Sequence, residues 1–460
     1  MDAKECDALV IFGATGDLAY KKVFPALQAL VRKDGLRMPI IGVARGGWTL
    51  ERLRERVHAS LSEQGDVDDE AFARLSEQLR HVDGNYHDSA TYDRLKQALN
   101  DRRRPLHYLA IAPGMFEVVV RGLANAECTK NARVVVEKPF GRDLASAQAL
   151  NDTLHEAFPE AAVFRIDHYL GKEAVQNLLY FRFANTFLEP IWNRHYIDSV
   201  QVTMAENFGV EGRGKFYEEV GTIRDVVQNH LLQVIALLTM EAPAIGDQQA
   251  TRAEKLRILR AIRPVDPSQV VRGQYRGYRE ESGVASDSQV ETFAAIRLSI
   301  DTWRWSGVPI YVRTGKCLPV TASEVIVQLR QPPLAVFDEV TTATSNYFRF
   351  RLSPEVVIAV GTRVKQAGNS MRGDAAELVA RHATAGADLP YERLLRDAIH
   401  GDPSLFTRDE SVEAAWRVVE PIIADASPVT TYEPGTWGPA TIAPPPHGWR
   451  NPAPESSKPC

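Results

Sequence analysis

Residues 164–173, FRIDHYLGKE, place an acid, a histidine, a tyrosine and a lysine directly after an apolar, strand-like run. His168 and Lys172 are four residues apart, and on a helix that starts here they would share one face. Together they would form a small cationic site suited to a phosphate or a sugar oxygen. Asp167 could hold one ring nitrogen of a distant histidine, as the acid of a catalytic triad does. Taken alone, a charged surface turn at the start of a helix explains the same residues equally well.

A second polar cluster lies at the head of an apolar helical stretch, GTIRDVVQNHLLQVIALL, which contains Asp225 and His230. A histidine, with a free pKa of about 6.5, suits the removal of a hydroxyl proton near neutral pH. A satisfied core or capping histidine is the alternative. Lys138 follows the strand VVVE before a proline, Lys316 follows the strand VPIYV, and Glu206 ends QVTMAE. Each of these three alone also fits a surface position.

The segment GATGDLA follows the first strand and opens the first helix. Its pattern is G-x-x-G-x-x-A rather than G-x-G-x-x-G, but the physical roles are the same. Gly13 permits a tight turn, Gly16 lets the backbone approach a pyrophosphate, and Ala19 allows the helix to pack closely on the sheet. Because a helix N-terminus also favours an anion, this turn predicts dinucleotide binding.

The residue after the second strand indicates which dinucleotide. An acid at this point would bind the ribose 2′-hydroxyl of NAD, whereas Arg45 suits a 2′-phosphate. Lys21 and Lys22 add positive charge nearby. Solvated surface cations are the alternative, but the pattern favours NADP as the cofactor.

The pattern of apolar residues differs before and after about residue 170, and it indicates which elements position these residues. Up to about residue 170, short apolar runs alternate with helical stretches, which predicts an α/β, Rossmann-like unit with a parallel sheet. Ligands of such sheets bind at the carboxyl ends of the strands. Longer alternating runs follow with few helices between them, which predicts an α+β domain with a large, mainly antiparallel sheet. We therefore predict domains at 1–170 and 171–445, and a flexible, Pro-rich tail at 446–460.

Composition excludes several classes of protein. The chain has 460 residues, is 44% hydrophobic and carries a formal net charge of -5, which gives no general affinity for nucleic acid or anionic membranes. Its N-terminus lacks the basic start of a signal peptide, and no apolar run approaches the roughly 18 residues of a membrane span. The four cysteines form no CxxC pair. We expect a reduced, cytoplasmic protein without a metal.

Across nearly its whole length the chain resembles the glucose-6-phosphate dehydrogenases. The matching segments, in the family's order, are FGATGDLA, VVVEKPFG, FRIDHYLGKE, AENFGVEGRGKFYEEVGTIRDVVQNHLLQ, GVASDSQVETFAAIRLSIDTWRWSGVPIYVRTGK, YERLL and GTWGP. The resemblance implies oxidation of C1 of glucose 6-phosphate to 6-phosphogluconolactone with NADP, the first step of the oxidative pentose phosphate pathway. It also implies that residues 171–445 bind substrate and form a homodimer or homotetramer on the large sheet.

The resemblance further implies a role for each candidate residue. His230 would be the general base for the C1 hydroxyl, and Asp167 the carboxylate that orients it. The implied substrate-binding residues are Lys138, His168, Tyr169, Lys172, Glu206, Asp225 and Lys316. The implied coenzyme-binding residues are Gly13, Ala14, Thr15, Gly16, Asp17, Leu18, Ala19, Tyr20, Arg45, Asn85, Tyr86 and Lys138.

Two residues depart from the family's pattern. A basic residue often stands five positions after the lysine of the GK turn, where this chain has Thr321, which predicts weaker substrate binding or a substitute group. A lysine or arginine usually follows GDLA, where this chain has Tyr20. The alternatives are a related hexose-phosphate dehydrogenase with dual NAD and NADP use, and an inactive regulatory paralogue. The intact candidate residues argue against the paralogue.

Overall fold

The computed structural model describes residues 5–65, 67–245, 249–334, 336–337, 346–368, 371–382, 388–424 and 427–453. The chain divides into two compact units. The first unit comprises residues 1–173, 243–253 and 387–413, and the second comprises residues 174–242, 254–386 and 414–460. The predicted domains 1–170 and 171–445 do not include the two later segments of the first unit. One of those segments carries a helix whose apolar side chains, including Leu394 and Leu395, belong to the core of the first unit.

The first unit contains a six-stranded parallel sheet, as predicted. Its strands are β1 Ala8–Phe12, β2 Ile40–Ala44, β3 Leu79–Asp83, β4 Pro105–Leu109, β5 Arg133–Glu137 and β6 Val163–Ile166. Their order is β3-β2-β1-β4-β5-β6, and every neighbouring pair is parallel. This is the doubly wound order that brings ligands to the carboxyl edge at β1 and β4. β1, β2 and β4 are buried along their whole length, as expected of strands covered on both faces.

Twelve α-helices lie within the described residues. They are α1 Phe24–Lys33, α2 Leu50–Glu63, α3 Asp69–Gln78, α4 Ser89–Leu99, α5 Phe116–Asn125, α6 Leu144–His155, α7 Glu173–Ala184, α8 Gly214–Thr222, α9 Leu232–Thr239, α10 Ala250–Ala261, α11 Pro390–His400 and α12 Asp409–Ile423. A π-helical turn, Ala19–Val23, precedes α1, whose second residue is Pro25. Proline lacks the backbone N–H that would continue regular α-helical bonding through this point.

The second unit contains a nine-stranded sheet. Its strands are β7 Ile197–Ala205, β8 Val270–Tyr275, β9 Phe293–Leu298, β10 Ile310–Gly315, β11 Ala322–Leu329, β12 Tyr347–Ser353, β13 Val356–Lys365, β14 Gly373–His382 and β15 Thr430–Tyr432. Their order is β14-β13-β12-β11-β7-β10-β9-β8-β15. β7 with β10 and β8 with β15 are parallel pairs, and the others are antiparallel. The prediction of a large, mainly antiparallel sheet is therefore confirmed.

The Pro-rich segment after residue 445 is not loose where the structure describes it. The Gln201 side chain donates to the Gly448 carbonyl at 3.0 Å, and the Arg450 N–H donates to the same side chain at 3.0 Å. Arg313 donates to Asn451 at 2.9 Å. Residues 446–453 are thus attached to strands of the large sheet, because their backbone and amide groups find partners there. Residues 454–460 lie outside the described residues.

Among the described residues, no helix is both long enough and apolar enough to cross a membrane.

Candidate active site

The Gly-rich turn after β1 has the close approach that requires glycine. Gly13 has φ 80°, and a Cβ there would lie 2.2 Å from the carbonyl oxygen of Ala110. The Gly13 N–H donates to the hydroxyl of Tyr86 at 2.8 Å. The Gly16 N–H donates to the Gly13 carbonyl at 2.9 Å, which closes the turn. A backbone folded this tightly, with no side chain at Gly13, suits close approach of a pyrophosphate to the peptide groups that follow.

Tyr86 is part of the structure that fixes this turn. Its hydroxyl accepts from Gly13 and donates to the Val43 carbonyl at 3.1 Å, so it joins β1 to β2. Burial raises the pKa of Tyr86, which keeps the hydroxyl available as a donor. Asn85 beside it is exposed, and its side chain accepts the His87 N–H at 3.2 Å. The structure therefore brings Tyr86 to the Gly-rich turn and places Asn85 in the adjacent turn before α4.

Basic residues surround the start of the first helix. Arg45 is exposed directly after β2, where no acid stands. The guanidinium of Arg56 lies 4.7 Å from the ring centroid of Tyr20, and the Ser60 hydroxyl donates to the Tyr20 carbonyl. Tyr20 thus serves as a contact surface for α2, in a place where the family usually has a cation. The residues present fit a dinucleotide that carries a 2′-phosphate.

Arg56 was not predicted from the sequence. It lies on α2 four residues after Arg52, whose guanidinium stacks over Trp48 at 4.6 Å. Arg56 itself lies 5.9 Å from the same ring centroid. The i, i+4 spacing of two arginines on one helix face was the available signal, since such residues lie on one face. Nothing in the spacing alone indicated that this face turns toward the Gly-rich turn.

Lys138 follows β5 and precedes Pro139 through a cis peptide bond. The preceding residue, Glu137, is buried, and its carboxylate accepts hydrogen bonds from the hydroxyls of Tyr108 and Tyr391. Burial raises the pKa of Glu137 to about 7. Glu137 was not predicted as a site residue, because an acid that ends a strand gives no sign in the sequence of being enclosed.

The turn after β6 holds four candidate residues together. Asp167 is buried, and its side chain accepts the Tyr169 N–H at 2.9 Å. The Lys172 ammonium lies 3.5 Å from the ring centroid of Tyr169, and the ring of His168 lies 5.2 Å from the same centroid. The predicted shared helix face is wrong, because α7 begins only at Glu173. His168 and Lys172 are instead grouped around one aromatic ring.

In the second unit, the ends of two parallel strands bring Glu206 and Lys316 together. β7 and β10 pair in register up to Ala205 and Gly315, and the Glu206 N–H donates to the Gly315 carbonyl at 3.1 Å. The Lys316 ammonium and the Glu206 carboxylate form an ion pair at 2.5 Å. Lys316 is buried and also faces the ring of Tyr217 at 5.3 Å. A hydrogen-bond donor and an acceptor are thus fixed next to each other.

Asp225 and His230 lie on a π-helical segment, Ile223–Leu231, rather than on a regular α-helix. Such segments are rare and frequently occur at functional sites. The segment is entered through Gly221, which has φ 63°, and the Ile223 N–H donates to the Glu291 side chain at 3.0 Å. His230 is 3% exposed, and its backbone N–H donates to the Asn229 side chain at 2.6 Å. Hydrogen bonds therefore fix the backbone at the start of the segment and at His230 itself.

Tyr217 interacts electrostatically both with Asp225 and with Glu206. Its pKa is raised well above the usual range by burial and then by the charge of Asp225, with a smaller contribution from Glu206. Its hydroxyl shares a hydrogen bond of 2.6 Å with Thr222. Tyr217 was not predicted. Its position between carboxylates keeps it a neutral hydroxyl beside Lys316.

Thr321 has a structural role of its own. Its hydroxyl donates to the Asn207 side chain at 2.6 Å and accepts the Asn207 N–H at 3.0 Å. These bonds fix the turn directly after Glu206. A short hydroxyl therefore stands where the family often has a long cation, and the predicted effect on substrate affinity stays a prediction.

The strand order, the Gly-rich turn and the basic residue after β2 together are those of a Rossmann-like, dinucleotide-binding unit. Residues 10–177 match the model of the glucose-6-phosphate dehydrogenase NAD binding domain, and residues 179–444 match that of the glucose-6-phosphate dehydrogenase C-terminal domain. The chain belongs to the glucose-6-phosphate dehydrogenase family. Enzymes of this family use NADP, and the family assignment made from the motifs is confirmed.

Individual relatives agree over almost the full length. Glucose-6-phosphate 1-dehydrogenase 1 of Mycobacterium tuberculosis is 44% identical over 439 residues, which cover 94% of this chain and 93% of that protein. The crystal structure of glucose-6-phosphate 1-dehydrogenase from Mycobacterium avium matches with a TM-score of 0.91 at 40% identity, over 98% of this chain and 100% of that one. A structure of glucose-6-phosphate dehydrogenase in complex with its substrate glucose-6-phosphate matches with a TM-score of 0.88 at 37% identity, over 95% and 97% of the two chains.

Proposed function

We propose that this chain oxidises C1 of D-glucose 6-phosphate to 6-phospho-D-glucono-1,5-lactone and forms NADPH. His230 takes the proton of the C1 hydroxyl while the C1–H bond breaks and the C1–O bond becomes a carbonyl. NADP, when bound, supplies the nicotinamide ring that accepts the hydride and its electron pair. Asp167 orients His230 and stabilises its protonated form. The coenzyme accepts both electrons that the sugar loses, so no further oxidant is required.

The observation that carries the proposal is the family match across both units, with every proposed catalytic group present. His230 is buried on a π-helical segment whose entry is fixed by Gly221 and Glu291. Asp167 is buried at the carboxyl end of the parallel sheet, where ligands of this fold bind. An inactive paralogue would not need either residue in such a supported position.

Binding of the sugar phosphate is assigned to two sets of polar groups. His168 and Lys172, grouped around Tyr169, supply positive charge for the phosphate. The ion pair of Glu206 with Lys316 supplies an acceptor and a donor for sugar hydroxyls, with Asp225 as a further acceptor. Since the phosphate is remote from C1, energy gained from its binding can hold C1 in place for hydride transfer.

The coenzyme is assigned to the first unit. The turn from Gly13 to Tyr20 would hold the pyrophosphate, Arg45 the 2′-phosphate and Tyr86 the turn itself. Lys138, at the cis turn after β5, would lie between coenzyme and sugar. Dual use of NAD and NADP is the second candidate, and it is favoured by the exposure of Arg45, which lets its side chain turn away from a coenzyme without a 2′-phosphate.

We also propose that the protein works in the cytoplasm as a homodimer or homotetramer built on the large sheet. Light scattering on the purified chain measures the mass in solution. A monomer at the concentrations used for the activity assay would contradict the oligomer.

The phosphate assignment is tested with Lys172→Ala and two substrates, glucose 6-phosphate and unphosphorylated glucose. Loss of one charge-assisted hydrogen bond of about 1.5–3 kcal/mol should raise KM for glucose 6-phosphate at least tenfold. The rate with glucose should hardly change, because glucose lacks the phosphate. Lys130→Ala, an exposed lysine before β5, is the control and should leave both values unchanged. Equal losses with both sugars would contradict the assignment.

A further inference from the structure

Glu137 is an enclosed carboxylate next to the Lys138 turn. It is 8% exposed at the end of β5, and its two oxygens accept from two different tyrosines, closely from Tyr108 of β4 and at 3.5 Å from Tyr391 of α11. A buried acid without a function is costly, and hydrophobic residues could fill the same space. Two hydroxyls that converge on one carboxylate form a built arrangement rather than an accident of burial.

Tyr391 belongs to the segment YERLL, residues 391–395. The first turn of α11, which it occupies, packs on the turn that follows Asp167. A Cβ at Gly171 would lie 2.9 Å from the Pro390 carbonyl oxygen, and Arg393 pairs with Glu173 at 2.5 Å. α11 therefore contacts both the Lys138 turn, through Glu137, and the residues after Asp167.

The charged and titratable groups around Glu137 come from four elements. They are Tyr108 from β4, Tyr391 from α11, Lys138 from the following turn and Asp167 from the end of β6. Glu137 pairs in register with Ile166, which directly precedes Asp167. Burial raises the pKa of Glu137 to about 7, the two hydroxyl bonds and Lys138 lower it, and the charge of Asp167 raises it. Its charge therefore changes near neutral pH.

We propose that Glu137 is a positioning residue for the reaction, which anchors the Lys138 turn through Tyr108 and Tyr391 and couples the charge of that turn to Asp167. The proposal rests on the site assigned above. In its ionised form Glu137 accepts from both hydroxyls and stabilises the Lys138 ammonium. In its protonated form it loses that charge, and turnover falls. The acid side of the pH profile should therefore contain the ionisation of Glu137.

The test compares kcat against pH for the wild type, Tyr391→Phe, Glu137→Gln and the double variant. Removal of the Tyr391 hydroxyl takes away a long bond that favours the charged form, so the acid-side midpoint should move up by about 0.4 pH unit. Glu137→Gln cannot ionise, so it should lower kcat on the plateau by about tenfold and lose this midpoint. In that background Tyr391→Phe should cause no further shift.

Arg396→Gln is the control, because Arg396 lies on the same helix but bonds to Asp34, Asp388 and Glu392. It should loosen α11 without moving the midpoint. An unchanged midpoint in Tyr391→Phe, or the same shift with and without Glu137, overturns the proposal. If Glu137→Gln does not fold, the Tyr391→Phe profile alone decides. The proposed function is tested separately by whether the wild type reduces NADP with glucose 6-phosphate and whether His230→Asn loses that activity, because loss of Glu137 is expected to lower kcat only about tenfold and not to abolish it.

Discussion

His230 is the residue on which the proposed chemistry depends most. Its side chain is buried, and its backbone N–H is held by Asn229. His230→Asn should lower kcat by about 10²–10⁴ and leave the KM for glucose 6-phosphate close to that of the wild type, because a positioned base acts on the proton and not on binding. Steady-state kinetics measure both values.

The control for this variant is His195→Asn, an exposed histidine of the same unit. It should keep the wild-type kcat. A kcat of His230→Asn close to that of the wild type would refute the assignment of the base.

Arg45 tests the choice of coenzyme at the residue scale. Arg45→Ala should raise KM for NADP at least tenfold and change KM for NAD little, because a charged partner of the 2′-phosphate contributes about 1.5–3 kcal/mol. Arg37→Ala removes the same charge at the opposite end of β2 and should leave both values unchanged. Equal effects of Arg45→Ala on the two coenzymes would contradict the 2′-phosphate role.

At the scale of elements, the π-helical segment Ile223–Leu231 depends on how the chain enters it. Gly221 has φ 63°, and a Cβ there would lie 2.6 Å from the Glu291 oxygen that accepts the Ile223 N–H. Gly221→Ala should therefore lower the free energy of unfolding by about 1–3 kcal/mol and reduce kcat, since Asp225 and His230 follow on the displaced segment. Urea unfolding and steady-state kinetics measure the two effects.

Gly212→Ala is the control for this variant, because it adds backbone strain without a steric clash. Gly212 has φ 75° but nothing within 4 Å of the position of a Cβ. This variant should lose stability without losing kcat. If Gly221→Ala behaves in the same way as Gly212→Ala, the entry of the π-helical segment does not position the catalytic groups.

Most elements of both sheets were predictable because their apolar runs have clear periods and are bounded by turns. β15 was not predicted, because three residues are too short for a pattern. β14 was missed because its sequence, GDAAELVARH, has many residues that are uncommon in strands. The π-helical segment was read as part of a regular helix, since a change from one hydrogen-bond spacing to another leaves the apolar pattern in place.

Some residues of the candidate site could likewise be predicted from the sequence, and others could not. Asp167, His168 and Lys172 stood out because polar groups at a strand end are conspicuous in the sequence. Tyr108, Tyr217 and Glu291 did not, because their functions depend on burial and on partners far along the chain. The sequence predicted a helix that begins directly after Asp167, whereas α7 begins at Glu173. The residues between them form a turn with its own hydrogen bonds, from the Leu170 N–H to the Asp167 carbonyl and from the Lys172 N–H to the Tyr169 carbonyl.

At the scale of the whole molecule, both units match the same family, and the match covers residues 10–177 and 179–444. Each unit carries residues that the other lacks. The first has the Gly-rich turn, Arg45, Lys138 and the turn after Asp167, and the second has the Glu206–Lys316 pair and His230.

The most direct test of the central claim is a matrix of activity, with NADP and NAD as coenzymes and with glucose 6-phosphate, other hexose phosphates and glucose as substrates. Formation of reduced nicotinamide is followed by its absorbance, and kcat/KM is compared for each pair. We expect the highest value for NADP with glucose 6-phosphate. A higher value for another sugar, or no reduction of NADP with glucose 6-phosphate, would contradict the proposed function.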